Sequence, residues 1–200
     1  ERFELRKDNA GQLFQAIDEQ HPFYFARKML LPTFQDLGRI QALMGDAIAS
    51  GKLRVLDYGC GAADTSLFLA TYGNAVTLCD VGGMLEKAAH RFALRGLPVE
   101  CIPARSDEPI PAFVGQWDVI IAVEVIEHVF DPFALLERMD HACSPQGRIL
   151  LGSFPFADTN AYGDHLSSAV QKRGELLQWI ENRWERIPAV AGNAFRKRHQ

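Results

Sequence analysis

Two stretches of this chain combine residue types and spacings that suit chemistry. In Val55-Leu56-Asp57-Tyr58-Gly59-Cys60-Gly61-Ala62-Ala63-Asp64, an apolar β-type run passes through two glycines into a helix-forming run. Glycines suit a turn where the backbone reverses sharply and a ligand must approach with no Cβ in the way. The start of the following helix offers free N–H groups and the positive end of a dipole, which favour an anionic ligand group. Asp80 stands about twenty residues further on, where an acid ending a second strand can bind the two hydroxyls of an adenosine ribose. The second stretch is Glu124-Val125-Ile126-Glu127-His128. On a helical turn, residues i, i+3 and i+4 share a face, so Glu124, Glu127 and His128 are expected to converge while Val125 and Ile126 turn inward. Two carboxylates and an imidazole suit a divalent cation such as Mg²⁺ or Mn²⁺, and His165, in Gly163-Asp164-His165, is a candidate fourth ligand. The competing role for His128 and His165 is proton removal from, or orientation of, a substrate; for His128 this role is preferred over metal ligation.

These groups need a scaffold, and the hydrophobic pattern supplies one. From residue 51 onward, β-type runs at Arg54–Tyr58, Ala75–Cys79, Val99–Pro103, Trp117–Val123 and Arg148–Phe154 alternate with helical stretches near Asp64–Tyr72, Met84–Arg95 and Pro132–Cys143. Asp131 is placed to cap the last of these, with Pro132 at its first position. A further helical stretch ends near Arg183, and two closing strands are expected at Trp184–Ile187 and Asn193–Lys197. Strands apolar on both faces, alternating with helices, predict a mostly parallel sheet covered on both sides. The expected class is therefore α/β, a Rossmann-like three-layer sandwich with a seven-stranded sheet. Residues 1–50 read as a helical extension, with Leu13, Phe14 and Ile17, then Ile40, Leu43, Met44 and Ile48, at helical spacing. The aromatic run His21–Phe25 within it is either part of a lid or packed core. No repeat or linker interrupts the chain, so one domain is expected over 1–200, with its core in 51–200.

Composition narrows the partners. The 200 residues are 48% hydrophobic and 23% charged, with a formal net charge of −4. No global positive field draws in nucleic acid or anionic lipid. The apolar run around Val119–Val123 is far too short to span a bilayer. Cys60, Cys79, Cys101 and Cys143 have no metal-finger spacing and read as reduced, buried thiols of a cytoplasmic protein. His90, His141 and His199 read as surface residues. The basic run Arg196-Lys197-Arg198 reads as the charged end of an edge strand.

The glycine turn resembles that of the class I S-adenosylmethionine (SAM)-dependent methyltransferases, whose pattern is D/E-x-G-x-G-x-G. Asp57, Gly59 and Gly61 match it, and Ala63 stands at the third glycine. A dinucleotide fold would instead want glycine at Asp64, where an acid repels a pyrophosphate. The resemblance continues through Asp107-Glu108-Pro109-Ile110-Pro111, Trp117–Ala122 and Pro145-Gln146-Gly147-Arg148, so it covers about residues 50–155 in order. It implies SAM as cofactor. Gly59, Cys60 and Gly61 would hold the methionine portion with Asp57 beneath, and Asp80 with Val81 the ribose. Asp107 would meet the adenine, and Val123 and Glu124 would line the methionine part.

The Glu-x-x-Glu-His element is similar to one in the ubiquinone-biosynthesis O-methyltransferases. It is also similar to one in small-RNA 2′-O-methyltransferases, where that segment and a later histidine bind metal. The likeness makes Glu124, Glu127, His128 and His165 candidate ligands. It implies methyl transfer to an oxygen, or second to a nitrogen, of a small-molecule acceptor, by a monomer or homodimer. An RNA 3′-terminal 2′-O-methyltransferase, a non-catalytic partner module and SAM chemistry other than methylation stay open. The acidic balance speaks against the first of these.

Overall fold

The computed structural model describes residues 51–104, 117–152, 154–156, 165–187 and 193–198. The expected extension over 1–50, Asp107 with its segment, His199 and loop residues 157–164 lie outside these. The described strands are β1 (Arg54–Tyr58), β2 (Ala75–Val81), β3 (Glu100–Ala104), β4 (Trp117–Ala122), β5 (Cys143–Leu151), β6 (Trp184–Arg186) and β7 (Asn193–Lys197). The helices are α1 (Asp64–Thr71), α2 (Gly82–Ala93), α3 (Pro132–Ala142), α4 (Ser167–Gln171) and α5 (Arg173–Arg183), with a 3₁₀ turn at Ile126–His128.

The strands form one sheet in the order β3-β2-β1-β4-β5-β7-β6. The pairs from β3 to β5 are parallel, and β7 runs antiparallel to both β5 and β6. This is the mostly parallel, Rossmann-like sheet expected. Because successive side chains point to opposite faces, each central strand feeds two cores. Val55, Val119, Ile121 and Leu150 pack with Leu67 and Leu69 of α1 and Leu85, Ala88 and Phe92 of α2. Leu56, Tyr58, Ile120, Ala122, Ile149 and Leu151 pack on the other face with Leu135, Leu136 and Met139 of α3 and Leu176 and Ile180 of α5. The Asp131 carboxylate accepts the Ala134 N–H at 3.0 Å, with Pro132 opening α3 as expected.

Three expectations are corrected. The fifth strand is entered at Cys143, not Arg148, and ends at Leu151. Its pairing with β4 jumps from Trp117↔Cys143 to Val119↔Arg148, an irregularity that takes up the Pro145-Gln146-Gly147 turn. Arg196 and Lys197 do not lie on an edge, because β6 covers β7. Their charges are instead used by Glu185, to which Arg196 donates through Nε and Nη2, and by Asp140 beside Lys197. Cys101 is exposed on the outer strand β3, whereas Cys60, Cys79 and Cys143 are buried. Burial raises the thiol pKa of these three, to about 12 for Cys79 and Cys143, so they stay protonated and are not nucleophiles. None of the helices among the described residues is long and apolar enough to cross a membrane.

Strand order creates the place for a ligand. The sheet starts at β1, moves outward to β3, then returns to lay β4 on the other side of β1. Loops leaving β1 and β4 therefore diverge, and a crevice opens at their carboxyl ends, the place where ligands bind in such sheets.

Candidate active site

The turn after β1 is held by its neighbour strand. The Gly59 and Cys60 N–H groups both donate to the Cys79 carbonyl, at 2.7 and 3.3 Å. The Gly61 N–H donates to one Asp80 carboxylate oxygen at 2.7 Å, and the Val81 N–H donates to the other at 2.7 Å. Asp80 thus ties the glycine turn to the end of β2. Desolvation raises its pKa, and the two N–H bonds oppose that rise. Gly61 has φ +52°, and a Cβ built there meets no atom of the described residues within 4 Å. The backbone at Gly61 therefore leaves room for a ligand to approach it. Ala63 also adopts the left-handed region, at φ 55°, which explains why glycine suits that position and why alanine is tolerated only with some strain.

Asp57 lies beneath the turn, 4% exposed, and accepts a hydrogen bond from the buried Ser66 hydroxyl at 2.5 Å. Burial pushes its pKa up to about 7; the Ser66 bond opposes this, while Asp80 and Asp64 add repulsion.

The loop after β4 reaches the same crevice from the other side. A Cβ on Gly59, whose φ is +67°, would sit 2.4 Å from Val125 Cγ2. A Cβ on Gly152, just past β5, would sit 2.3 Å from the Glu124 nitrogen and 2.5 Å from Glu124 Oε1. The loop is wedged between two bare backbones. Glu124 itself has φ 54°, a left-handed conformation that costs a non-glycine residue about 1 kcal/mol. This kink changes the expected geometry. Residues 124–128 are not one helical turn, since only Ile126–His128 is helical and of the 3₁₀ type. Val125 and Ile126 do turn inward. Glu127 is buried and His128 partly so, and one donor atom from each of Glu127, His128 and His165 lies within 4.8 Å of the others. Glu124 is not in that group; it is exposed, with its carboxylate against Gly152.

His165 Nε2 lies 3.9 Å from Glu127 Oε1, and the His128 and His165 rings meet edge to face with centroids 5.6 Å apart. Phe154 packs on the other side of His165. The Leu166 N–H donates to the Glu127 carbonyl at 2.9 Å, which brings the segment after β5 onto the loop after β4. Two histidines and a buried carboxylate in this arrangement can move a proton or hold a divalent ion. His90 and His141 are exposed and apart from the cluster. Ser66, Gly152 and Arg91, a buried residue of α2, do not stand out in the sequence. The helical spacing of Ser66 from Ala63 and the position of Gly152 at a strand end were the available signals.

Comparison with known proteins agrees with this layout. Residues 56–149 match a family model described as a methyltransferase domain. A ubiquinone biosynthesis O-methyltransferase of Erwinia tasmaniensis is 30% identical over 170 residues, spanning 74% of this chain and 70% of that protein. One from Caulobacter is 32% identical over 102 residues, spanning 50% of this chain and 40% of the relative. One from Xanthomonas axonopodis pv. citri is 28% identical over 158 residues, spanning 71% and 66%. This chain thus spans between 40% and 70% of the length of these relatives. Among solved structures, a SAM-dependent methyltransferase from Clostridium acetobutylicum aligns with TM-score 0.50 at 12% identity, over 70% of this chain and 56% of that one. Another methyltransferase, from Galdieria sulphuraria, aligns with TM-score 0.51 at 17% identity, over 58% and 45%. At those identities the structures speak for the fold.

Two expected outcomes test the geometry. Gly59→Ala is destabilising by about 1–3 kcal/mol in chemical denaturation, from the Val125 overlap and the positive φ. Adding Val125→Ala recovers the overlap part, so the double variant loses less than the two single losses added together; strict additivity would contradict the wedge. For Asp57, a folded pKa raised to about 7 means its contribution to stability is full below about pH 4 and is lost as pH rises through 7. Asp57→Asn removes that dependence. Its stability relative to the parent should therefore rise between pH 5 and pH 8, by on the order of 2–3 kcal/mol. A constant offset across pH would show that Asp57 titrates normally.

Proposed function

Since the chain belongs to the SAM-dependent methyltransferases, enzymes that take SAM as methyl donor, we propose that its acceptor is a hydroxyl oxygen of a small molecule. The observation that carries this reading is the convergence within 4.8 Å of His165 with Glu127 and His128, the latter two on a loop whose Val125 abuts the glycine turn. The names of the relatives support an oxygen acceptor. The net charge of −4 supports a small molecule over RNA.

Gly59, Cys60 and Gly61 would hold the methionine portion of SAM and Asp80 with Val81 its ribose, with Val123 and Glu124 closing the methionine end and Asp107 toward the adenine. SAM supplies a methyl group on a sulfonium, already activated for in-line transfer, and leaves as S-adenosylhomocysteine. The chain's own work is then alignment, exclusion of water and management of one proton. His128, partly exposed at the crevice, accepts the proton of the acceptor hydroxyl at a ring nitrogen as the oxygen becomes nucleophilic. His165, packed between His128 and Phe154 and within 3.9 Å of Glu127, orients that ring or shares its role. Buried Glu127 stabilises the positive charge that either imidazole gains. A second reading rests on the same cluster: Glu127, His128 and His165 would hold a divalent ion, which lowers the pKa of a bound hydroxyl. Glu124, expected as a fourth ligand, would stay on the cofactor side.

Product mass spectrometry across a panel of phenols and alcohols, with and without EDTA, tests both readings. O-methylated product that persists in EDTA, with kcat lowered about 100-fold or more in His128→Ala and SAM affinity unchanged, is the expected result. Activity abolished by EDTA and restored by Mg²⁺ or Mn²⁺ would favour the metal reading. N-methylated products alone would overturn the oxygen acceptor.

A further inference from the structure

Three acids surround the cofactor turn: buried Asp57 beneath it, Asp80 beside it and Asp64 at the first position of α1. They repel one another, as the upward push of Asp64 and Asp80 on Asp57 shows. A ligand bringing a carboxylate to this turn meets that negative field. Arg91, in the last turn of α2, is the one buried lysine or arginine among the described residues. Its guanidinium crosses from α2 to the turn. Nη1 donates to the Ala62 carbonyl oxygen, and Nη2 lies 2.8 Å from Asp64 Oδ1. Its two partners are therefore the residue after Gly61 and the residue after left-handed Ala63.

Burying a guanidinium is costly, and an apolar residue of similar length would dock α2 on α1 at lower cost. What an apolar residue cannot do is restrain a carbonyl oxygen of the turn and cancel the Asp64 charge at the N-terminus of α1. That N-terminus is where the dipole and free N–H groups favour an anion, and an uncompensated Asp64 opposes it. We propose that Arg91 is a positioning residue for the cofactor: it pins Ala62 and neutralises Asp64, so that the Gly59–Ala63 turn accepts the carboxylate of the methionine portion of SAM. The inference rests on the cofactor seat proposed for this turn. Arg91 acts through the turn and is assigned no contact with the cofactor.

The test is titration of S-adenosylhomocysteine, which carries the same carboxylate and needs no acceptor, against folded variants at a temperature below all their unfolding midpoints. Arg91→Met should weaken binding about tenfold or more. Asp64→Asn alone should change it by less than about twofold, yet in the Arg91→Met background it should restore binding by about threefold or more. That recovery is a signature of charge compensation that a purely structural role does not produce. Arg91→Lys, which keeps the charge, should bind within about fivefold of the parent and serves if Arg91→Met does not fold. A lowered unfolding midpoint with unchanged affinity in Arg91→Met, or no recovery in the double variant, would overturn the proposal. Asp80→Ala separates the two levels. If it leaves affinity unchanged, the seat itself is wrong; if it abolishes binding while Arg91→Met does not weaken it, only the role of Arg91 is wrong.

Discussion

At the carboxyl ends of β1 and β4, two loops approach so closely that the side facing the neighbour must be bare backbone. Gly59 leaves room for Val125 on one flank, and Gly152 leaves room for the backbone and carboxylate of Glu124 on the other. This close approach follows from the strand order, which places β1 and β4 side by side while their following connections run in opposite directions. The candidate site hangs from it. The cradle at Gly61, the carboxylate of Asp80 and the cluster of Glu127, His128 and His165 are brought to one crevice because these loops meet there.

The second constraint is electrostatic. An α/β core of this kind buries few charges, yet Asp57, Glu127 and Arg91 are buried, and each stands at the crevice or against the glycine turn. Each is kept by a specific partner: Ser66 for Asp57, His165 near Glu127, and Ala62 with Asp64 for Arg91. Such groups contribute little net stability, because desolvation offsets what the partners return. Their value lies in fixing a backbone turn and a pair of imidazoles in one arrangement. The strained φ of Glu124 belongs with them, since strain of this kind persists where surrounding packing over-determines it.

How much of this was legible in the sequence depended on whether the information was periodic or geometric. Val55, Leu56 and their counterparts in β4 and β5 alternate between two cores, so strands and fold class followed from pattern alone, and β1 and β7 fall on the expected residues. Gly59 and Gly61 were legible because a sharp turn and a close approach demand glycine, and Asp80 because its spacing puts an acid at the end of β2. The expected convergence of Glu124 with Glu127 and His128 failed because helical spacing was extended across a residue that adopts a left-handed conformation, which no periodicity reveals. Arg91 was illegible for a different reason. It lies 29 residues from its carbonyl partner, and a basic residue near a helix end usually belongs to solvent. Only packing α2 against α1 shows where its guanidinium goes.

The most direct test of a cofactor seat at this turn is the affinity of folded Gly61→Ala for S-adenosylhomocysteine, measured by calorimetric titration beside the parent chain. Among the described residues the added methyl meets no atom within 4 Å, so it enters the open space where the cofactor is proposed to sit, at the cost of about 1 kcal/mol of backbone strain. The variant is expected to fold, and its affinity to fall by about tenfold or more. Unchanged affinity in a folded Gly61→Ala protein would contradict the seat.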